Sequence, residues 1–420
     1  MSLIKNSSYN IVGFAIPTLV AIPSLGILSR WLSIEEFGVF ILSFSILGYA
    51  SIFDGGLSRA VTREIAIFKG NKHQQIEVLA NANFLIIIFS LVASCLLYFF
   101  SSNIANLLNT SPQYLENVII SLKILSIAVP FYLLNLIWVG YLEGIEDFLI
   151  VNFQKTIGNT LIVLFPLLFC LYERSLVLAV SGILAGRIVS LIITFFICNK
   201  MIIKSKCKFN KYVVTRLFKF GGWITISNIV SPIMVYMDKF IVSNVLGANK
   251  VALYSAPAEG VSRLINIPIA LSKALFPKIS NAQTLDEQKK LEKISYIIIS
   301  VFCFPLIVII FIFAREIMTI WMGVGYGIAT ENILRILIIG FFFNALAQVP
   351  YTILQSKGFS KYTAFIHLAE IFPYLVAVYY ATKFYGIIGA ATVWSIRVII
   401  DLFLLMFFCY GVRDIKIKQY

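Results

Sequence analysis

Charge is what this sequence has least of. Only 13% of its 420 residues are Asp, Glu, Lys or Arg, while 60% are hydrophobic; a soluble domain carries roughly 25% charge. A water-soluble fold of this size could not hide so much apolar surface, and lipid is the solvent that remains. Histidine is nearly missing: His73 and His367 are the only two, too few for a metal site built on imidazoles. The six cysteines (Cys95, Cys170, Cys198, Cys207, Cys303 and Cys409) are scattered and form no CxxC pair. Neither a zinc site nor a disulfide framework is indicated. No Walker lysine motif occurs, so the sequence gives no support to transport powered by ATP on this chain alone. Val324-Gly325-Tyr326-Gly327 looks like part of a potassium-channel filter, but a filter needs four copies around one axis and this is one. The net charge of +14 does not mark a nucleic-acid partner, because no basic face with interleaved aromatics stands apart from the apolar runs.

Those runs are the main content of the chain. A spanning helix needs about 20 mostly apolar residues, and about twelve such stretches follow one another with short links, from Ser8–Ser29 to Ile387–Tyr410. The first follows Met1–Asn10, which has one lysine and no small-residue cleavage site, so it reads as a retained helix. The expectation is an all-α polytopic membrane protein of about twelve transmembrane helices. No room is left for a sizeable soluble domain.

Basic residues gather in alternate links, most densely at Lys200, Lys204, Lys206, Lys208, Lys211, Arg216 and Lys219. The opposite links hold five: Arg30, Arg174, Lys250, Arg315 and Lys383. Positive residues stay inside, so both termini are expected in the cytoplasm. The basic link after six spans divides the chain into an N-terminal lobe, 1–199, a linker, 200–219, and a C-terminal lobe, 220–420. A shift of 214 residues aligns span two with span eight: Phe40 on Tyr254, Ser58 on Ser272, Arg59 on Lys273, Ala60 on Ala274 and Ile65 on Ile279. Two six-helix lobes related by a pseudo-two-fold axis along the membrane normal follow, as in transporters with rocking halves.

Charge inside a bilayer costs about 2.5–3.5 kcal/mol per group on insertion scales, so such residues face protein or a wet cavity. Asp54, Arg187, Asp238, Lys239, Glu259, Arg263, Glu370, Arg397 and Asp401 lie within the apolar runs. Glu259 with Arg263 and Arg397 with Asp401 have i,i+4 spacing, which puts each pair on one helix face. Each pair reads either as self-neutralised charge or as the lining of a polar cavity. Pro17, Pro23, Pro232 and Pro268 interrupt spans one, seven and eight, while Gly182 and Gly186 permit close helix packing.

The pattern resembles the Wzx-type polysaccharide flippases of the multidrug/oligosaccharidyl-lipid/polysaccharide exporter superfamily. The likeness rests on Leu32-Ser-Ile-Glu-Glu-Phe-Gly-Val-Phe40, on Asp54-Gly-Gly-Leu-Ser-Arg-Ala60, on Asp238 nine residues before Gly247 with Tyr254 following, and on Trp321-Met-Gly323 with Tyr326. The resemblance implies a MATE-like two-lobed fold, not an enzyme. It implies movement of undecaprenyl-diphosphate-linked oligosaccharide repeat units across a bacterial inner membrane by alternating access, feeding O-antigen or capsule. A polysaccharide polymerase and a chain-length regulator are the implied partners. A cationic cavity lined by spans one, two, seven and eight would place Arg263 and Lys239, with Arg59 and Lys273, on the diphosphate. Asp54, Asp238, Glu259, Glu370 and Asp401 are the expected cavity or coupling carboxylates. No cofactor is expected; proton or sodium coupling is. A multidrug antiporter of the same superfamily is the alternative reading. A membrane-embedded glycosyltransferase or polymerase is a weaker one, since the outer links are short and poor in carboxylates.

Overall fold

The computed structural model describes residues 3–205, 209–281 and 284–417, with side-chain surroundings outside 3–14, 220–228, 231, 273–278, 280–281, 285, 360 and 412–417. The described residues are helical almost throughout and contain no strand. In chain order the helices are α1 (Leu3–Trp31), α2 (Ile34–Ala50), α3 (Leu57–Ile67), α4 (Lys72–Phe99), α5 (Ser101–Leu107), α6 (Pro112–Gly144), α7 (Phe148–Cys170) and α8 (Leu176–Lys204). There follow α9 (Lys211–Leu246), α10 (Ala248–Leu264), α11 (Asn266–Asn281), α12 (Leu285–Ile312), α13 (Ala314–Met322), α14 (Val324–Ser356) and α15 (Ser360–Ile417). Among the described residues, eight helices are long and apolar enough to cross a membrane, and the chain is a multi-pass membrane protein. The span Lys361–Gly411 counts once although Gly386, at φ 65 and ψ −151, divides α15 into arms at 360–385 and 387–417.

Two compact units form: Met1–Phe240 with Gly247–Ala252, and Ile241–Leu246 with Leu253–Tyr420. In the first, α8 packs on α6 and α7, α1 on α7, and α4 on α6. Its seams use both devices available in lipid, small residues and buried hydrogen bonds. A Cβ on Gly182 would run into the Pro166 backbone, and one on Gly186 would lie 2.8 Å from Ile162 Cα, so the expected glycine pair does seat α8 against α7. Gln154 donates to Thr194 Oγ1 at 2.8 Å and Thr194 to Asn135 Oδ1 at 2.6 Å, tying α6, α7 and α8 together. In the second unit, α14 packs along α15, α13, α12 and α11. Large apolar side chains such as Phe196, Phe313, Phe372 and Phe407 point outward, as a surface in lipid requires.

Three features differ from the expected spans. The basic link is largely helical, because α8 runs through Lys204 and α9 starts at Lys211. The run expected as span eight is broken at Ile265 into α10 and α11. Pro268 removes the N–H that would bond the Leu264 carbonyl, and its ring crowds that carbonyl. The link after span two contains a further helix, α3, whose Leu57, Ala60, Val61, Glu64 and Ile65 are buried while Arg59 and Arg63 are exposed. That is the one-sided pattern of a helix lying against its unit.

Candidate functional site

Helix ends place the first group of charged residues. Ser33 caps α2: its Oγ accepts from Glu36 N at 3.2 Å, and Glu36 Oε2 accepts from Ser33 N at 3.2 Å. Glu36 Oε1 also accepts from Leu176 N at the start of α8, 3.4 Å away. Glu35 accepts from Ser111 N and Ser111 Oγ, both at 2.6 Å, where α6 begins. Two adjacent carboxylates thus satisfy the open N–H groups of three helices. Asp54 acts similarly. A 3-10 turn, Ser51–Asp54, leads into Gly55 and Gly56 at φ 55 and 74, a left-handed path that suits glycine. The turn brings the buried Asp54 carboxylate back over the start of α3, where it accepts from Ser58 N at 3.1 Å and Ser58 Oγ at 2.8 Å.

Around Asp54 the first unit gathers a polar cluster. The Arg187 guanidinium of α8 lies 4.5 Å from the Tyr132 ring of α6. Its Nε is buried without a hydrogen bond. Asp54, Arg187 and Tyr236 all lie close enough to Tyr132 to act on it electrostatically. Tyr236 of α9 fills the space left by Gly48, since a Cβ there would overlap its ring. Next to it Tyr49 donates to Met237 Sδ at 3.2 Å and meets Phe240 edge-on at 5.3 Å. Asp238 and Lys239 follow on α9, both buried, with Lys239 Nζ 6.0 Å from the Tyr236 ring.

The expected residues fall into separate settings. Asp54, Asp238 and Lys239 join the first-unit cluster, and Arg59 is exposed on α3 close enough to act on Asp54. Glu259 and Arg263 are half-buried on α10. Arg263 lies in the last helical turn, two residues before the break, and its carbonyl accepts from Asn266 Nδ2 at 3.2 Å. The Lys273 side chain lies outside the described residues. Glu370 and Asp401 belong to the second unit and share one place. Arg397 Nε stands 3.7 Å from Glu370 Oε2 and His367 Nε2 3.6 Å from Asp401 Oδ1. Arg397 therefore reaches across from one arm of α15 to the other, where the i,i+4 spacing had suggested Asp401. His367 is silent in the sequence as an intramembrane charge, since a lone histidine counts as neutral. The usable signal was its i,i+3 spacing from Glu370, which puts both on one helix face. Arg187 stood out as a charge in a span, but nothing local showed that an aromatic ring would receive it.

Residues 27–330 match the family of polysaccharide biosynthesis proteins. A Shigella flexneri protein named "Putative O-antigen transporter" is 45% identical over 405 residues, covering 96% of this chain and 97% of its own. A multidrug resistance MATE family transporter of the MOP superfamily, solved in an inward-facing conformation, superposes with a TM-score of 0.80 at 13% identity, covering 97% of this chain and 95% of that one. The lipid II flippase MurJ, in an inward closed conformation, does so with a TM-score of 0.78 at 19% identity, covering 96% and 87%. The chain belongs to the polysaccharide biosynthesis protein family, and its fold is that of the MOP-superfamily transporters.

Proposed function

We propose that this protein is a flippase that carries lipid-linked oligosaccharide repeat units, undecaprenyl-diphosphate their carrier, across the bacterial inner membrane by alternating access. The product supplies O-antigen or a related surface polymer, and the protein moves its substrate without chemical change. The observation that carries the reading is 45% identity, along nearly the whole of both chains, to a protein named as an O-antigen transporter. Buried charge in otherwise apolar spans supports it, because a diphosphate crossing the bilayer needs cationic and hydrogen-bonding groups at depth. In this reading the chain makes twelve spans in two six-helix lobes, 1–199 and 220–420, joined by the basic link 200–219. Both termini face the cytoplasm, a proton or sodium gradient supplies the energy, and a polymerase and a chain-length regulator act next to it.

Arg263 is the proposed diphosphate ligand, with Lys239 second and Arg59 and Lys273 along the route. Guanidinium offers phosphate a planar bidentate fork and stays charged when partly desolvated. The test is restoration of surface polymer in a strain lacking its flippase. Wild type restores it. Arg263→Ala abolishes it at unchanged membrane protein level, and Arg263→Lys keeps a part. If Arg263 served only to balance Glu259, the double variant Glu259→Gln with Arg263→Ala would recover polymer. The proposal expects none, and recovery removes Arg263 from the substrate path.

A further inference from the structure

The two arms of α15 bring four ionisable side chains together inside an apolar span, and no helix end or link explains them. His367 and Glu370 come from the first arm, Arg397 and Asp401 from the second. Glu370 is 8% exposed and Asp401 6%. Both cross-arm pairs, at 3.7 and 3.6 Å, are longer than the roughly 2.7–2.9 Å of a charge-assisted hydrogen bond. Both Glu370 oxygens and Asp401 Oδ1 are buried without a hydrogen-bond donor. Among the described residues, tyrosine rings lie against the group. Tyr374 lies under Arg397, its ring centroid 5.4 Å away, and from α14 Tyr351 stacks on His367 at 6.4 Å.

The charge count is uneven. With both carboxylates ionised, Arg397 charged and His367 neutral, the group holds one net negative charge. Uncompensated charge in such surroundings is costly, and an acceptor without a donor adds to the cost. One proton cancels the charge and lowers the second cost, because it turns one acceptor into a donor for another. Among the described residues no three His, Cys, Asp or Glu side chains converge so as to hold a metal ion. A proton fits the place better than a coordinated cation. His367 is the more exposed partner of its pair, its side chain 32% exposed against 8% for that of Asp401.

We propose that His367, Glu370, Arg397 and Asp401 form a proton-binding site within the last helix hairpin, holding one exchangeable proton. Bound, the proton joins the arms through a new hydrogen bond. Released, it leaves them with one excess negative charge. Its use as a coupling site rests on the transporter reading above, but its existence does not.

The test is difference infrared spectroscopy of the purified full chain in lipid nanodiscs, stepped in pH and read at the carboxylic-acid and imidazole bands. Wild type gains and loses one buried band reversibly. Glu370→Gln and Asp401→Asn, each nearly isosteric, each abolish it, since the remaining groups are neutral without a proton. If Glu370→Gln does not survive purification, the double variant Glu370→Gln with Arg397→Gln serves. It removes an opposite-charge pair, leaves one net negative charge, and should keep one titrating band. A band unchanged in both single variants, a wild type with none, or a double variant with none overturns the proposal. So does a wild-type band that sodium chloride displaces at fixed pH, which would make this a cation site. The spectrum involves no transport, so failure here leaves the flippase reading standing, and the polymer test can fail without touching this one.

Discussion

A carboxylate that accepts backbone N–H groups fastens a helix, whereas one without donors inside a span is available for chemistry. Glu35, Glu36 and Asp54 are of the first kind and Glu370 of the second. Losing an N-cap costs about 0.5–2 kcal/mol. Glu36→Ala removes the return half of the α2 cap and the acceptor of Leu176 N, so it should lower the thermal midpoint of the purified protein, followed by tryptophan fluorescence. Glu36→Gln, which keeps an acceptor oxygen, should lose less. Equal midpoints for all three proteins would show that these bonds carry no stability. Part of this was legible: Ser33-Ile-Glu-Glu36 has the spacing of a capping box. The rest was not, because Ser111 lies 76 residues from Glu35 and Leu176 lies 140 from Glu36. Of the residues that carry the family likeness, Ser33, Glu35, Glu36 and Asp54 thus bond to helix ends.

Helices end or bend where a single residue forbids continuation, and such residues can be read locally. Pro268 marked an interruption of the eighth apolar run, and the break lies at Ile265. Gly386 fell in the link between the last two runs, and it alone breaks α15. Its φ of 65 with ψ of −151 is a conformation open essentially to glycine, and a Cβ there would touch nothing within 4 Å. Gly386→Ala should therefore destabilise by about 1–3 kcal/mol through the backbone alone, read as a lower midpoint in a denaturing-detergent titration. Gly389 makes a useful contrast: a Cβ there would run into the Ala381 carbonyl, so Gly389→Ala acts through packing of one arm on the other. If the Gly386 variant unfolds like wild type, the turn is not held in that conformation. The meeting of Glu370 with Arg397 was not legible, because i,i+4 rules describe one helix and the partners face each other across a turn.

At the scale of the whole chain, basic residues alternate between links, and contacts among the links of the first unit sort them independently. Within the first unit, Glu35 and Glu36, in the link after the first apolar run, bond to Ser111, in the link after the third, and to Leu176, where the link after the fifth enters α8. Lys69, after the second, meets Glu146, after the fourth, at 2.6 Å. Asn210 and Arg216, after the sixth, reach Glu77 and Glu64, at 2.7 and 2.6 Å. Odd links touch odd ones and even links touch even ones, as alternating crossings of a bilayer demand. These contacts separate two sides without saying which is cytoplasmic. That choice rests on the basic residues, which crowd the even links, since positive loops stay inside. The expectation is that cysteines placed at Lys69, Glu146 and Lys206 are shielded from an impermeant maleimide in intact cells and react once the membrane is opened. Cysteines at Asn109 and Gly325 should react from outside, all in a background stripped of native cysteine. The positions test two claims at once. If 69, 146 and 206 behave alike but label from outside, the sorting stands and the orientation is inverted. If Lys69 and Glu146 label from opposite sides, the ion pair between them does not exist in the membrane, and the crossing pattern of the first unit is wrong.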